Sequence, residues 1–206
     1  MPVHGTGRVR RLLLVGVPAA ASELPAGAFG DRAALKAAVD AWVSDPAAAE
    51  ATHGSISGWD TSRVDDMSEL FRAKSAFNEA IGGWDTSSVT DLKESFREAN
   101  AFNSELTVWD TSKVANMEQT FFMATAFNQP LAWDTSKVTS MAETFYRSDA
   151  FNSELVWDTS KVTSMDATFR EASAFNSQLV WDTSKVTFTI RTHMFLGAGD
   201  DAGLTN

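Results

Sequence analysis

Residues 133–155, WDTSKVTSMAETFYRSDAFNSEL, are one copy of a pattern that also begins at Trp59, Trp84, Trp109 and Trp157 and restarts at Trp181. Counting each tryptophan as zero, position five is Val64, Val89, Val114, Val138, Val162 and Val186, and position twelve is Phe71, Phe96, Phe121, Phe145 and Phe169. An Ala-Phe-Asn triplet starts at Ala76, Ala101, Ala126, Ala150 and Ala174, and position twenty-two is Ile81, Leu106, Leu131, Leu155 and Leu179. Length varies only in the joint before the next tryptophan, Gly82-Gly83 and Thr107-Val108 against Ala132, Val156 or Val180 alone. A one-residue slip inside a paired strand turns its buried side chains outward. What stacks in register therefore lies in the constant part, and the joint absorbs the change.

A unit of 24 or 25 residues cannot bury its own apolar face and must lean on its neighbours, as the units of a solenoid do. Asp66, Asp91, Asn116, Ser140 and Ser164 at position seven are good helix N-caps, and Glu69, Glu94, Gln119 and Glu143 three residues later complete a capping box that only Ala167 breaks. A short helix is expected there, with Met67, Leu92, Met117, Met141 and Met165 on the same face as the phenylalanine four residues on. The β-branched piece just before the cap, such as Ser136 to Thr139, is the expected short parallel strand. The expected class is an α/β repeat, with one short parallel strand and one short helix per coil. A buried tryptophan removes roughly 150–250 Å² from water, on the order of 4–6 kcal/mol before entropy is subtracted. A tryptophan column can hold such a chain together without cysteine, of which there is none.

The pattern WDTSKVT-x-M…F…A-x-AFN-x-x-L resembles the repeat of the BspA-like leucine-rich-repeat surface proteins, a family of unknown biochemical function abundant among mycoplasma lipoproteins. It covers Ile56 to about Val186. The resemblance implies a leucine-rich-repeat-like solenoid at a cell surface, with binding or adhesion as its work. Two departures stand out: no cysteine is present for a lipid anchor, and the usual second methionine is replaced by Leu70, Ser95, Thr120, Thr144 and Thr168.

Along the chain, residues 1–30 read as a leader with Arg8, Arg10 and Arg11 before an apolar run Leu12 to Ala21. That composition fits a secretory signal ending at Ala19-x-Ala21, and equally a leader without structure. Residues 31–58 are expected to cap the first repeat, with Leu35, Val39 and Trp42 on one face of a helix over Asp31 to Ser44. The repeats occupy 59–187. Residues 188–206 form a degenerate last coil or cap, in which Met194-Phe195-x-x-Ala198 is displaced by two inserted residues. A net charge of −10 argues against nucleic acid and anionic membrane as partners, and no run is long enough to span a bilayer.

Catalytic constellations are not assembled by the repeat. There is no cysteine nucleophile, and His4, His53 and His193 fall in the leader, the cap and the last coil. The expectation is a non-enzymatic protein without cofactor. Asp60, Asp85, Asp110, Asp134, Asp158 and Asp182 form a column in which each carboxylate is expected to close an Asx-turn beside the basic column Arg63, Lys113, Lys137, Lys161 and Lys185. The alternative is an ion- or ice-interacting structural protein using that column and the threonine column Thr61, Thr86, Thr111, Thr135, Thr159 and Thr183. Calcium is the weaker reading because one Asp per coil supplies too few oxygens. Asn78, Asn103, Asn128, Asn152 and Asn176 read as a ladder serving loop backbone.

Function is sought where the repeat varies. Position thirteen is Arg72, Arg97 and Arg170 in three copies but Phe122 and Tyr146 in the two central ones, with Met123 beside the first. Phe122, Met123 and Tyr146 are the candidate contact patch for a protein or glycan partner. The competing reading folds these side chains back as additional core.

Overall fold

The computed structural model describes residues 24–186 and 193–205, so the expected signal over residues 1–21 lies outside the described residues. The capping helix forms as α1, Arg32–Ser44, with the Asp31 carboxylate accepting from the Ala34 amide at 2.9 Å. It buries Leu35, Ala38, Val39 and Trp42. A second helix, α2 at Pro46–His53, follows within the expected cap of residues 31–58, beyond the single helix the apolar spacing predicts. Asp45 ends α1 and caps α2 through the Ala48 amide, and Pro46 begins the new helix with its ring φ already suited to that place. The leader boundary at residue 30 also moves. Ala28 bridges Asp60 in parallel, and Phe29 is buried against Trp59 with ring centroids 5.0 Å apart. Gly27 makes this approach possible, since a Cβ on it would lie 2.5 Å from the His53 carbonyl oxygen.

Within the repeats the expected helix does not form. Position seven pairs with position seven of the next repeat through parallel bridges, Asp66 to Asp91 to Asn116 to Ser140 to Ser164. Beyond it, amides at positions eight, ten, twelve and fourteen donate to the following repeat. From the third repeat these are Met117 to Ser140 at 2.9 Å, Gln119 to Ala142 at 2.9 Å, Phe121 to Thr144 at 2.9 Å and Met123 to Tyr146 at 2.7 Å. The intervening amides close tight turns, as Thr120 does on Met117 at 3.2 Å. A helix would have to spend those same amides internally. Positions ten and fourteen take left-handed backbone to aim every second amide outward, with φ between 52° and 59° at Glu69, Ala73, Glu94, Glu98, Gln119, Met123, Glu143, Arg147, Ala167 and Glu171. The caps serve turns as well. Asp66, Asp91 and Asn116 each accept from the amide two residues on, at 2.7–3.0 Å, in place of the third amide of a helix. The expected strand before the cap contributes one bond per step, such as Thr139 N to Ala115 O at 2.8 Å. Among the described residues the two strands of regular geometry lie elsewhere, β1 at Gln178–Leu179 paired in parallel with β2 at Gly203–Leu204.

Three aromatic columns fill the interior. Phe71, Phe96, Phe121, Phe145 and Phe169 are fully buried, with successive rings 5.1–5.5 Å apart and near parallel. Phe195 continues this column at 5.5 Å from Phe169, so two residues are indeed inserted before it. A second column runs from Phe77 to Phe175 at 5.9–6.1 Å spacing. Indole Nε1 of Trp84, Trp109, Trp133 and Trp157 donates to the carbonyls of Ile56, Ile81, Leu106 and Leu131 at 2.8–3.1 Å, so each indole satisfies a buried acceptor of the chain before it. The hydroxyls that replace the second methionine do similar work. Thr144 Oγ1 is buried between the carbonyls of Met117 and Met141 at 2.9 and 2.8 Å, and Ser95, Thr120 and Thr168 repeat the arrangement.

Candidate partner-binding site

The polar columns resolve into structural roles. Each aspartate Oδ1 of the Asp60-to-Asp182 column accepts from the amide of the serine two residues on, at 2.8–3.0 Å. The hydroxyl and amide of Ser62, Ser112 and Ser136 hold Asp60, Asp110 and Asp134 below the usual carboxylate range. The amide, then the hydroxyl, of Ser160 and Ser184 does the same for Asp158 and Asp182. Among the described residues, no group of three His, Cys, Asp or Glu side chains is placed to hold a metal ion.

The threonine column points inward except at Thr183, which is half-buried. Thr61, Thr86, Thr111, Thr135 and Thr159 are at most 3 % exposed and donate to the Asp carbonyl of the next repeat at 2.8–3.1 Å. The threonine face needed by the ice reading is therefore consumed in joining repeats. The asparagines hand one acceptor along the stack, the amides of Asn103, Asn128, Asn152 and Asn176 each bonding Oδ1 of the preceding asparagine at 2.8–2.9 Å.

Phe122 and Tyr146 come together outside the core. Their rings stack at 4.8 Å and 6°, and both side chains are half-buried, as is Met123. The stack stands on the backbone ladder, with the Glu98 amide on the Phe122 carbonyl and the Met123 amide on the Tyr146 carbonyl, both at 2.7 Å. The outer faces of the pair are taken by cations. The Arg97 guanidinium lies 4.2 Å over Phe122, and those of Arg147 and Arg170 lie 5.9 Å from the Tyr146 centroid. Arg97 is held by Gln119 and Glu98, and Arg147 by Glu171 at 2.6 Å, a contact that lowers the Glu171 pKa and raises that of Arg147. Tyr146 Oη also reaches Glu171 at 3.4 Å. The flanking arginines were visible in the sequence as the rule that Phe122 and Tyr146 break; that they sandwich the exception depends on the register of the repeats.

The histidines remain apart. His53 packs its ring against Phe29 and Trp59, His193 lies 3.8 Å from Asp166, and His4 is outside the described residues.

A family model described as a Mycoplasma protein of unknown function, DUF285, matches residues 41–152 and again 131–200, from inside α1 to the last repeat. The chain belongs to this family. The family is part of the BspA-like and mycoplasma surface-repeat group. No curated protein and no solved structure matches the chain.

Proposed function

We propose that this family member is a leucine-rich-repeat-like solenoid, secreted or surface-associated, that performs no chemistry and works as a binding or adhesion module through Phe122, Met123 and Tyr146. The observation that carries the reading is the outward aromatic pair at a position where three other repeats hold arginine. Stacking of the repeats does not require it, and aromatic side chains offer large contact area at small entropic cost. Of the two partner classes expected from the sequence, the geometry favours protein over glycan. A sugar ring packs on a free aromatic face, whereas the faces of this pair are occupied by each other and by Arg97, Arg147 and Arg170. Ring edges, the Met123 thioether and the Tyr146 hydroxyl remain, a set suited to apolar side chains and carbonyls of a polypeptide. No helix among the described residues is long and apolar enough to cross a membrane.

The test is a displayed peptide library and a glycan array, both screened with the full chain and with a Phe122→Arg/Tyr146→Arg double variant. Peptide binding that disappears in the variant at nearly unchanged thermal stability is the expected outcome. Selected ligands that bind both proteins equally, or a variant that loses several kcal/mol of stability, would refute the site.

A further inference from the structure

A second surface, independent of the aromatic pair, lies along the joints before the tryptophans. Of the large hydrophobic side chains exposed among the described residues, three share one column: Val108 at 77 %, Val156 at 85 % and Val180 at 84 % exposure. Ala132 fills the remaining place in that column and is also exposed. The cause is local and extended. From Glu154 to Thr159 residues alternate strictly between exposed and buried: Glu154, Val156 and Asp158 point out, while Leu155, Trp157 and Thr159 point in. The same alternation runs from Pro130 to Thr135 and from Gln178 to Asp182. Three parallel columns result on one outward face. The middle one is aliphatic. One neighbour is the aspartate column Asp110, Asp134, Asp158 and Asp182, and the other carries Glu105 and Glu154 with Pro130 and Gln178. Recesses of about 390 Å³ between Leu131, Ala132, Glu154 and Val156, and of about 160 Å³ between Val156, Trp157, Gln178 and Val180, open between adjacent repeats on this face. The smaller is of the size of one large side chain, and the larger has room for more than one.

Branched aliphatics this exposed contribute nothing to the interior, and an apolar row rimmed by charge marks an interaction surface. The rim selects the occupant. Within the three columns every charged side chain is a carboxylate, the nearest cations being the lysines three residues beyond each aspartate. A second copy of the chain, itself at −10, would set carboxylates against carboxylates, and an anionic bilayer would be repelled in the same way. We propose that this face docks a cationic amphipathic polypeptide segment, its aliphatic side chains seated along Val108, Ala132, Val156 and Val180 and its lysines or arginines on the two carboxylate columns.

The experiment titrates fluorescent ten-residue peptides of alternating Leu-Lys, Ser-Lys and Leu-Glu into the full chain and into a Val108→Ser/Val156→Ser/Val180→Ser variant. These valines are exposed, so the variant should melt with the parent. The Leu-Lys peptide is expected to bind the parent at least about tenfold more tightly than it binds the variant, and than the Ser-Lys peptide binds the parent, since burying even one aliphatic side chain is worth about a factor of ten or more. The Leu-Glu peptide is expected not to bind. Equal binding of Leu-Lys and Ser-Lys, equal binding to parent and variant, or self-association of the parent that the valine substitutions abolish would each overturn the proposal.

Discussion

Replacing Trp133 by alanine removes a ring that is 4 % exposed, stacked on Trp109 at 6.3 Å and Trp157 at 6.4 Å, and tilted against Phe121 at 5.9 Å. It also takes indole Nε1 from the Leu106 carbonyl, 3.1 Å away, leaving that carbonyl with the Trp109 amide at 3.2 Å. Large-to-small core truncations of this kind cost about 3–5 kcal/mol, and the lost indole hydrogen bond adds about 0.5–1.5 kcal/mol. Trp133→Phe separates the two effects, keeping most of the stack and losing the bond, and should cost about 1–2 kcal/mol. Urea unfolding followed by far-ultraviolet dichroism reads both, and the slope of the transition shows whether the repeats still unfold together. At about 2–4 °C per kcal/mol for a chain of this size, the combined loss of roughly 3.5–6.5 kcal/mol in Trp133→Ala lowers Tm by roughly 7–26 °C. A loss under about 1 kcal/mol for the alanine variant would mean that the tryptophan column does not bear the stability assigned to it.

Three further outcomes follow from the turns and columns. Ala73, exposed at φ 58°, should tolerate glycine, Ala73→Gly being neutral or stabilising by up to about 1 kcal/mol, whereas in a helix the same change costs about that amount, so the sign of the urea midpoint shift decides between them. Thr144→Val keeps the shape but removes one donor shared by the Met117 and Met141 carbonyls, which retain the Thr120 and Thr168 hydroxyls, and should lose about 0.5–1.5 kcal/mol by the same assay. The lowered carboxyls of Asp60, Asp110, Asp134, Asp158 and Asp182 mean that the native state binds fewer protons, so their stabilisation is complete above the ordinary aspartate value near 4 and lost as pH falls through their lower folded values. Urea midpoints should be flat from about pH 5 to 8 and fall below about pH 4, Asp134→Asn should weaken that fall, and calcium or chelator should leave Tm unchanged.

What the sequence revealed was spacing, and what it concealed was the use made of each amide. Phe121, Val138 and Leu155 could be assigned to the interior from their recurrence alone, and each is buried. The helix expected from Ser140 and Glu143 failed because a capping box describes one turn in isolation, while here the next repeat offers carbonyls at the same height, and left-handed backbone at Glu143 and Arg147 takes up that offer. The second helix is legible in Asp45-Pro46, a cap followed by a first-turn proline, a local signal that the spacing of the repeats does not carry. For the candidate site, the break at Phe122 and Tyr146 was visible in one dimension. The Arg97 guanidinium over the Phe122 ring was not, since it depends on which side chains the ladder sets face to face.

The hydrogen-bond ladder also gives the molecule chemically unlike ends. Because Met117, Gln119, Phe121 and Met123 and their counterparts all donate forward, this stretch of the first repeat turns carbonyls toward whatever precedes it, while amides elsewhere in the repeat, such as those of Thr139 and Ala150, donate backward. The group that meets those carbonyls is a donor: Arg32 of α1 reaches back with Nε to the Ser68 carbonyl at 2.6 Å. Along this stretch a lid must bring hydrogens at the first end and lone pairs at the other, whereas at the edge carrying Asp60 the same lid must also accept, as the Gly27 carbonyl does from the Asp60 amide at 2.7 Å. Moving α1 to the far side would set its guanidinium against the forward-donating amides, so this cap suits one end of the stretch and not the other.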